Sequence, residues 1–288
     1  MKKIIYFIVI SCLSISCVQE TDITPPPQNP KVVLMGFINP DSLLKVNLKL
    51  TNNINEKTVS FPKIKQVRFY ENGKLINESV ETKTIGEYYV NYRPKVGNLY
   101  KVEVITEDYG TVSAKDNLVK NIDTKLNGKV RTVRELENPF YEITFKNINQ
   151  SAYLNVTKRE SGKIIKFDIL SDSNWLDPLG SFYDYRSGLG KVYEILYARL
   201  DDKAKRQKEI SLSFSVVSGK LFTPNKGDFA TLDVITGSDK LDKYLKSLML
   251  NETGKLYNPF AEPSPTYSNV DGGLGYFLCA YRQSFKLE

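Results

Sequence analysis

The chain of 288 residues has no histidine, and its three cysteines stand at 12, 17 and 279 without C-x-x-C spacing. Histidine-based general-base catalysis and imidazole metal sites therefore have no side chain to use, and a tetrahedral zinc site lacks both spacing and partners. The 33 acidic residues could supply a glycosidase carboxylate pair, yet no local context singles out two of them. Asp172-Ser173-Asn174-Trp175-Leu176-Asp177 begins like a calcium loop, but Leu176 occupies a ligand position and no glycine follows. A calcium site outside that pattern, using Asp172, Asn174 and Asp177, is the alternative. Gly188-Leu189-Gly190-Lys191 meets Val192 where a phosphate loop needs Ser or Thr, and Gly273-Leu274-Gly275 lacks the third glycine of a dinucleotide turn. The expectation is a protein that is not an enzyme, with no metal and no cofactor.

Binding chemistry is better represented. The segment 174–188 holds the only tryptophan, Trp175, with Phe182, Tyr183, Tyr185 and Arg186 among polar neighbours. Amphipathic rings in a loop suit sugar stacking or a protein interface. The competing reading makes Trp175 and Phe182 core anchors of the domain that carries them.

The N-terminus fixes where such a surface would work. Lys2 and Lys3 precede an almost uncharged apolar run from Ile4 to Ile15, which is of signal-peptide length and too short to span a bilayer stably. It ends in Ser14-Ile15-Ser16-Cys17, which resembles a lipobox and makes residues 1–16 a lipoprotein signal peptide with Cys17 as the lipid attachment point. An ordinary secretory signal, or cleavage at Cys12, are the alternatives. Residues 17–30 follow as an acidic and Pro-rich tether, ending in Pro25-Pro26-Pro27-Gln28-Asn29-Pro30. Removal of Lys2 and Lys3 lowers the formal charge from +7 to +5. The densest basic segment, 201–209, is flanked by acids and reads as a solvated loop, so nucleic acid is not an expected partner. Cys279, in Leu278-Cys279-Ala280-Tyr281, reads as a small buried hydrophobe.

The elements that must position these residues are mostly strands. Short β-branched and aromatic runs at 32–38, 44–50, 66–71, 74–79, 88–92, 100–106 and 111–114 are punctuated by Gly, Pro, Asn and Asp, with Asn72-Gly73 as a hairpin signal. This density predicts an immunoglobulin-like β-sandwich over 31–122. A second β-rich domain over 123–288 is predicted from runs at 141–145, 152–158, 164–169, 192–200, 210–217, 230–236 and 274–281, the run at 192–200 also fitting a helical face. One amphipathic helix near the C-terminus, about 239–252, is predicted from Leu241, Tyr244, Leu245, Leu248 and Met249, with Ser238 as its cap and Gly254 closing it.

The C-terminal residues carry a family resemblance. Asp242-Lys243-Tyr244-Leu245, then Asn258-Pro259-Phe260-Ala261-Glu262-Pro263, then Ser268-Asn269-Val270-Asp271-Gly272-Gly273-Leu274-Gly275-Tyr276-Phe277, resembles the signature of a Bacteroidota outer-membrane lipoprotein family catalogued as domain of unknown function family 4249. Asp242 stands where that pattern has a tyrosine, and Val270 where it has isoleucine. The likeness extends to Val33-Leu34-Met35-Gly36, Gly86-Glu87-Tyr88 and Gly97-Asn98-Leu99-Tyr100. Glu20 and Asp22 likewise resemble the acidic export signal of surface lipoproteins in that phylum.

The resemblance implies a lipid-anchored, surface-exposed protein of the outer membrane, encoded near TonB-dependent receptors, with no established activity. The expected function is a binding or accessory role beside a TonB-dependent β-barrel receptor. A surface adhesin or glycan-binding lipoprotein, taking a glycan or peptide, is the alternative. The signature residues themselves read first as structure: prolines that hold their predecessors extended, and Gly272, Gly273 and Gly275 in a bulged start to the last strand. A docking surface for a membrane partner is the second reading of that loop.

Overall fold

The structure, a computed structural model, describes residues 29–52, 58–78, 80–81, 84–132, 139–160, 163–171, 173–177, 179, 181–183, 191–193, 197–217, 230–257 and 265–287. Cys17, Glu20 and Asp22 lie outside these residues, as do Asp172, Tyr185, Arg186 and the segment 258–264 with Asn258, Pro259, Phe260 and Pro263.

The chain is mainly β with one α-helix among the described residues. Strand β1 (Val32–Ile38) and β2 (Leu44–Leu50) alternate buried and more open positions, so Leu34, Ile38, Leu44, Val46 and Leu48 point to one side. β3 (Ile64–Glu71) and β4 (Lys74–Glu78) form the hairpin that Asn72-Gly73 announces, with φ of 50° and 81° at those two residues. β5 (Val80–Glu81), β6 (Glu87–Val90), β7 (Leu99–Thr106) and β8 (Thr111–Asn117) complete the first run of strands.

The second run is β9 (Asp123–Thr132), β10 (Pro139–Lys146), β11 (Ser151–Glu160), β12 (Lys163–Ser171), β13 (Ser181–Tyr183), β14 (Lys191–Tyr193) and β15 (Ala198–Arg199). A 3-10 turn at Asp202–Arg206 leads to β16 (Glu209–Val217) and β17 (Ala230–Gly237). Helix α1 (Asp239–Tyr257) then precedes β18 (Val270–Asp271) and β19 (Leu274–Leu287).

These strands make two sheets. One runs β5-β6-β2-β1-β19-β17-β11-β12-β16-β10-β9, with β13, β14 and β15 attached beside β11 and β12; the other runs β18-β8-β7-β3-β4. Val67, Phe69, Tyr100, Val102 and Val112 of the smaller sheet share one core with Leu34, Val46, Leu48 and Val90 of the larger, which is the immunoglobulin-like sandwich. A second core gathers Ile143, Phe145, Leu154, Val156, Ile169, Leu212, Phe214, Leu232 and Val234 from β10, β11, β12, β16 and β17.

β19 belongs to both. Its first half, Leu274 to Cys279, pairs parallel with Val33 to Ile38, and its second half, Ala280 to Leu287, pairs antiparallel with Gly237 to Ala230. Phe277 and Cys279 enter the sandwich core, while the alternate residues Leu278 and Ala280 face α1 with Tyr153, Leu241, Leu245 and Met249. Burial on both faces explains the uninterrupted run Phe277-Leu278-Cys279-Ala280. The sandwich expected over 31–122 thus takes β18 and half of β19 from the far end of the chain.

Helix α1 starts where Ser238 predicts. Its hydroxyl accepts from the backbone N–H of Lys240 at 3.2 Å and Leu241 at 3.4 Å. The helix continues past Gly254 to Tyr257, because an interior glycine only weakens a helix.

Candidate functional site

β17, β11 and the second half of β19 present one face to α1, and beyond the helix that face opens. The register sets Arg282 opposite Ile235, Ser284 opposite Asp233, and Asp233 opposite Asn155, so these side chains share the open side. A groove of about 590 Å³ lies there. Its floor is Asn155, Thr157, Asp233, Ile235 and Arg282. Phe37, Asn39, Asp41 and Ser42 from the end of β1 form one wall, with Ile164, Lys166 and Tyr197 opposite. That volume is in the range of small-ligand sites, and the mixture of exposed apolar and hydrogen-bonding side chains suits a polar organic ligand.

The floor is electrostatically fixed. Asp233 is buried, and its carboxylate accepts from Arg282 Nη2 at 2.5 Å and from Ser284 Oγ at 2.6 Å. Arg282 is 56% exposed and lines the groove, so its guanidinium, held on Asp233 through Nη2, keeps other N–H donors for a ligand. Tyr197 has its phenol pushed up, first by burial, with Arg282 opposing and Asp233 reinforcing the shift. It is a neutral donor and an aromatic wall at any physiological pH.

Behind Tyr197 stands a buried ion network. The ring of Tyr153 meets that of Tyr197 edge-on at 6.1 Å and 79°. The Tyr153 hydroxyl donates to Asp242 Oδ1, and Asp242 also receives a two-pronged contact from Arg199, Nε to Oδ1 at 2.8 Å and Nη2 to Oδ2 at 3.1 Å. Arg199 has no exposed side-chain surface, and it further donates to Asp177 at 2.9 Å, Asp202 at 2.6 Å and the Leu200 carbonyl at 3.1 Å. Lys246, one turn along α1, reaches Asp242 at 3.3 Å. Burial alone would raise the Asp242 carboxyl, but hydrogen bonds from Arg199 and Tyr153 hold it well below the usual carboxylate range. The network ties α1 to β11 and β15, and through Tyr153 it sets the ring that walls the groove.

The sequence-predicted residues divide clearly. Trp175 is half-buried against the second core, its backbone carbonyl accepting from the N–H of Asp201, with Lys203 Nζ 6.0 Å from the ring centroid. Phe182 and Tyr183 lie on β13, which pairs with β14. Asp177 spans Arg199 and the backbone N–H of Leu179. Among the described residues, no group of three His, Cys, Asp or Glu side chains is placed to hold a metal ion.

The described C-terminal signature residues are bound into the sandwich. Asn269 offers its side-chain amide to the backbone of Phe277 in both directions, Nδ2 to O at 2.7 Å and N to Oδ1 at 2.9 Å, and so continues the strand ladder where the chain has turned away. Ser268 Oγ accepts from the N–H of Val270 at 3.4 Å. Gly272 and Gly275 have φ of 73° and 106°; a Cβ on Gly275 would come within 2.1 Å of the Leu34 carbonyl. Gly273 lies close to the Val32 carbonyl, 2.6 Å from where its Cβ would be. Gly36 gives room to the Phe277 ring, 2.7 Å from its would-be Cβ.

Arg199 and the groove floor escaped sequence reasoning. The signals were there but weak: an arginine inside the apolar run at 192–200, and an aspartate, Asp242, where the family pattern carries an aromatic.

Among solved structures, the chain is similar to the T6 backbone pilin of serotype M6 Streptococcus pyogenes, a modular three-domain protein, at 12% identity over 91% of this chain and 64% of that one, with a TM-score of 0.22. The chain therefore spans less than two thirds of that structure, and the score supports no further comparison. No curated protein sequence matches. Residues 18–286 match the model of the family described as Domain of unknown function (DUF4249), and the chain belongs to that family.

Proposed function

We propose that the protein is a lipid-anchored binding or accessory module of the bacterial outer membrane, surface-exposed and working beside a TonB-dependent β-barrel receptor, of the kind found in Bacteroidota. The observation that carries this reading is the N-terminal arrangement: an apolar signal run ending in Ser16-Cys17, then Glu20 and Asp22, then a proline-rich tether. The family match over residues 18–286 supports it, since it begins directly after Cys17. The groove supports a binding role, because its polar side chains are held by protein partners before any ligand arrives.

Purification from native membranes in mild detergent tests the accessory role. A β-barrel receptor should co-elute with the chain; elution of the chain alone contradicts the reading. Shaving whole cells with protease should cleave the protein if it faces outward and leave it intact if it faces the periplasm.

The groove also favours a second reading, a glycan-binding surface lipoprotein. Arg282 and Asn155 beside Tyr197 are the planar polar and aromatic groups that hydroxyl-rich ligands engage. On a glycan array, Arg282→Ala should abolish any binding, whereas Trp175→Ala, a substitution at the core edge, should leave specificity intact. The opposite result moves the ligand to the 174–186 segment.

A further inference from the structure

At one end of the sandwich, several chain crossings converge. Lys31 and Thr51 are joined by the Thr51 N–H to the Lys31 carbonyl at 2.9 Å, Leu50 donates to the Ser60 carbonyl at 2.8 Å, and Leu48 donates to the Gly86 carbonyl at 2.8 Å. Three apolar side chains project from this end. Ile85 occupies the outer corner of a turn closed by Glu87 N–H on the Thr84 carbonyl at 3.1 Å, and it is 68% exposed. Phe61 packs over Gly86, its ring 2.6 Å from where a Cβ would sit, and stays 38% exposed; Val59, two residues earlier, is 47% exposed. Isolated exposed hydrophobes are ordinary, but three large ones at one tip are a surface feature.

The position of the tip says what meets it. Lys31, exposed beside it, is the first residue after the tether, so the tip is where the chain from Cys17 arrives. Residues 18–30 can extend at most roughly 45 Å, which confines this end of the sandwich close to whatever holds Cys17. Three side chains cover far less than the roughly 800 Å² per partner of a stable protein interface. They do suit shallow insertion, in which apolar groups add to an anchor already present and a nearby lysine meets lipid phosphate.

We propose that Val59, Phe61 and Ile85 form a membrane-contact tip that inserts into the lipid surface carrying Cys17, so that the sandwich stands on the bilayer and the groove domain points away from it. The proposal rests on the lipid-anchored reading above. The test uses the full lipidated chain in vesicles of phosphatidylethanolamine and phosphatidylglycerol with and without brominated phosphatidylcholine. The wild-type chain reports through Trp175 alone, in the second domain, and its emission should not respond to bromine. Phe61→Trp adds an indole at the tip, which should shift to the blue on vesicles and lose emission to brominated lipid. Ile85→Trp should do the same and guards against a folding defect at position 61. Flotation with the vesicles and an unquenched tip indole overturns the tip while the anchor stands. Failure to float overturns the anchor and the tip together. A blue shift that grows with protein concentration but ignores bromine assigns the tip to a second copy of the chain and overturns the proposal.

Discussion

Among the described residues Arg199 is the only fully buried arginine, and it has three carboxylates around it. A buried charge of that kind is destabilising once its two-pronged partner is removed, because Asp177 and Asp202 replace only part of the lost counter-charge and water cannot reach the site to supply the rest. Asp242→Asn should therefore lower stability at neutral pH by about 3–5 kcal/mol in urea titrations. The pH dependence has a definite sign. The folded Asp242 carboxyl lies below its unfolded value, so its stabilisation is present above the ordinary carboxylate range, near pH 4, and is lost as pH falls through the folded value. Asp116 has the opposite sign: burial raises its carboxyl, though the Cys279 N–H at 2.8 Å and the Ser238 hydroxyl at 2.9 Å work against the shift. Its ionisation removes stability as pH rises past the usual range. Asp116→Asn should accordingly cost less than Asp242→Asn at neutral pH and flatten the profile just above pH 4 in thermal melts.

At the scale of elements, the start of β19 is the most constrained segment. Gly275→Ala would need both a left-handed φ and a Cβ against the Leu34 carbonyl, so the β1–β19 ladder has to shift. Gly97 has a similar φ of 92° but open space around it, and Gly97→Ala should cost only about 1–2 kcal/mol. The difference between the two midpoints in urea isolates the close approach; equal losses would contradict it. Asn269→Ala leaves the Phe277 N–H and carbonyl without their side-chain partner and should cost about 1–3 kcal/mol by the same measurement. Much of this was readable beforehand. The alternation in 44–50, the Asn72-Gly73 turn, the Ser238 cap and the stripe Leu241, Leu245 and Met249 are local patterns, and each produces its element locally. β9 was not readable, since Gly128 interrupts the polar and apolar alternation of Lys-Leu-Asn-Gly-Lys-Val-Arg, next to shifts in its register with β10. Nor was the end of β19, where Arg282 is polar because it lines the groove, Ser284 because it binds Asp233 on the same face, and Gln283 because it meets Asn121 on the other. The parallel pairing of β1 with β19 joins residues more than two hundred positions apart, and no local signal encodes such a partner.

For the whole molecule, β19 makes the two cores a single folding unit. Phe277 fills the sandwich, Leu278 faces the helix, and the rest of the strand pairs with β17 beside the second core, so loss of one core removes a wall of the other. Calorimetry should show one cooperative transition, and Phe277→Ala should lower it as a whole by about 3–5 kcal/mol; two separated transitions would show independent halves. This rigidity matters for the proposed role, in which one end of the body meets the membrane and the groove presents a fixed surface above it. That arrangement depends on the covalent state of one residue. The most direct measurement is the mass of the N-terminal peptide of the protein isolated from its native membranes. The expected peptide begins at Cys17 and carries acyl chains on it; an unmodified Cys17, or a chain beginning elsewhere, would contradict lipid anchoring.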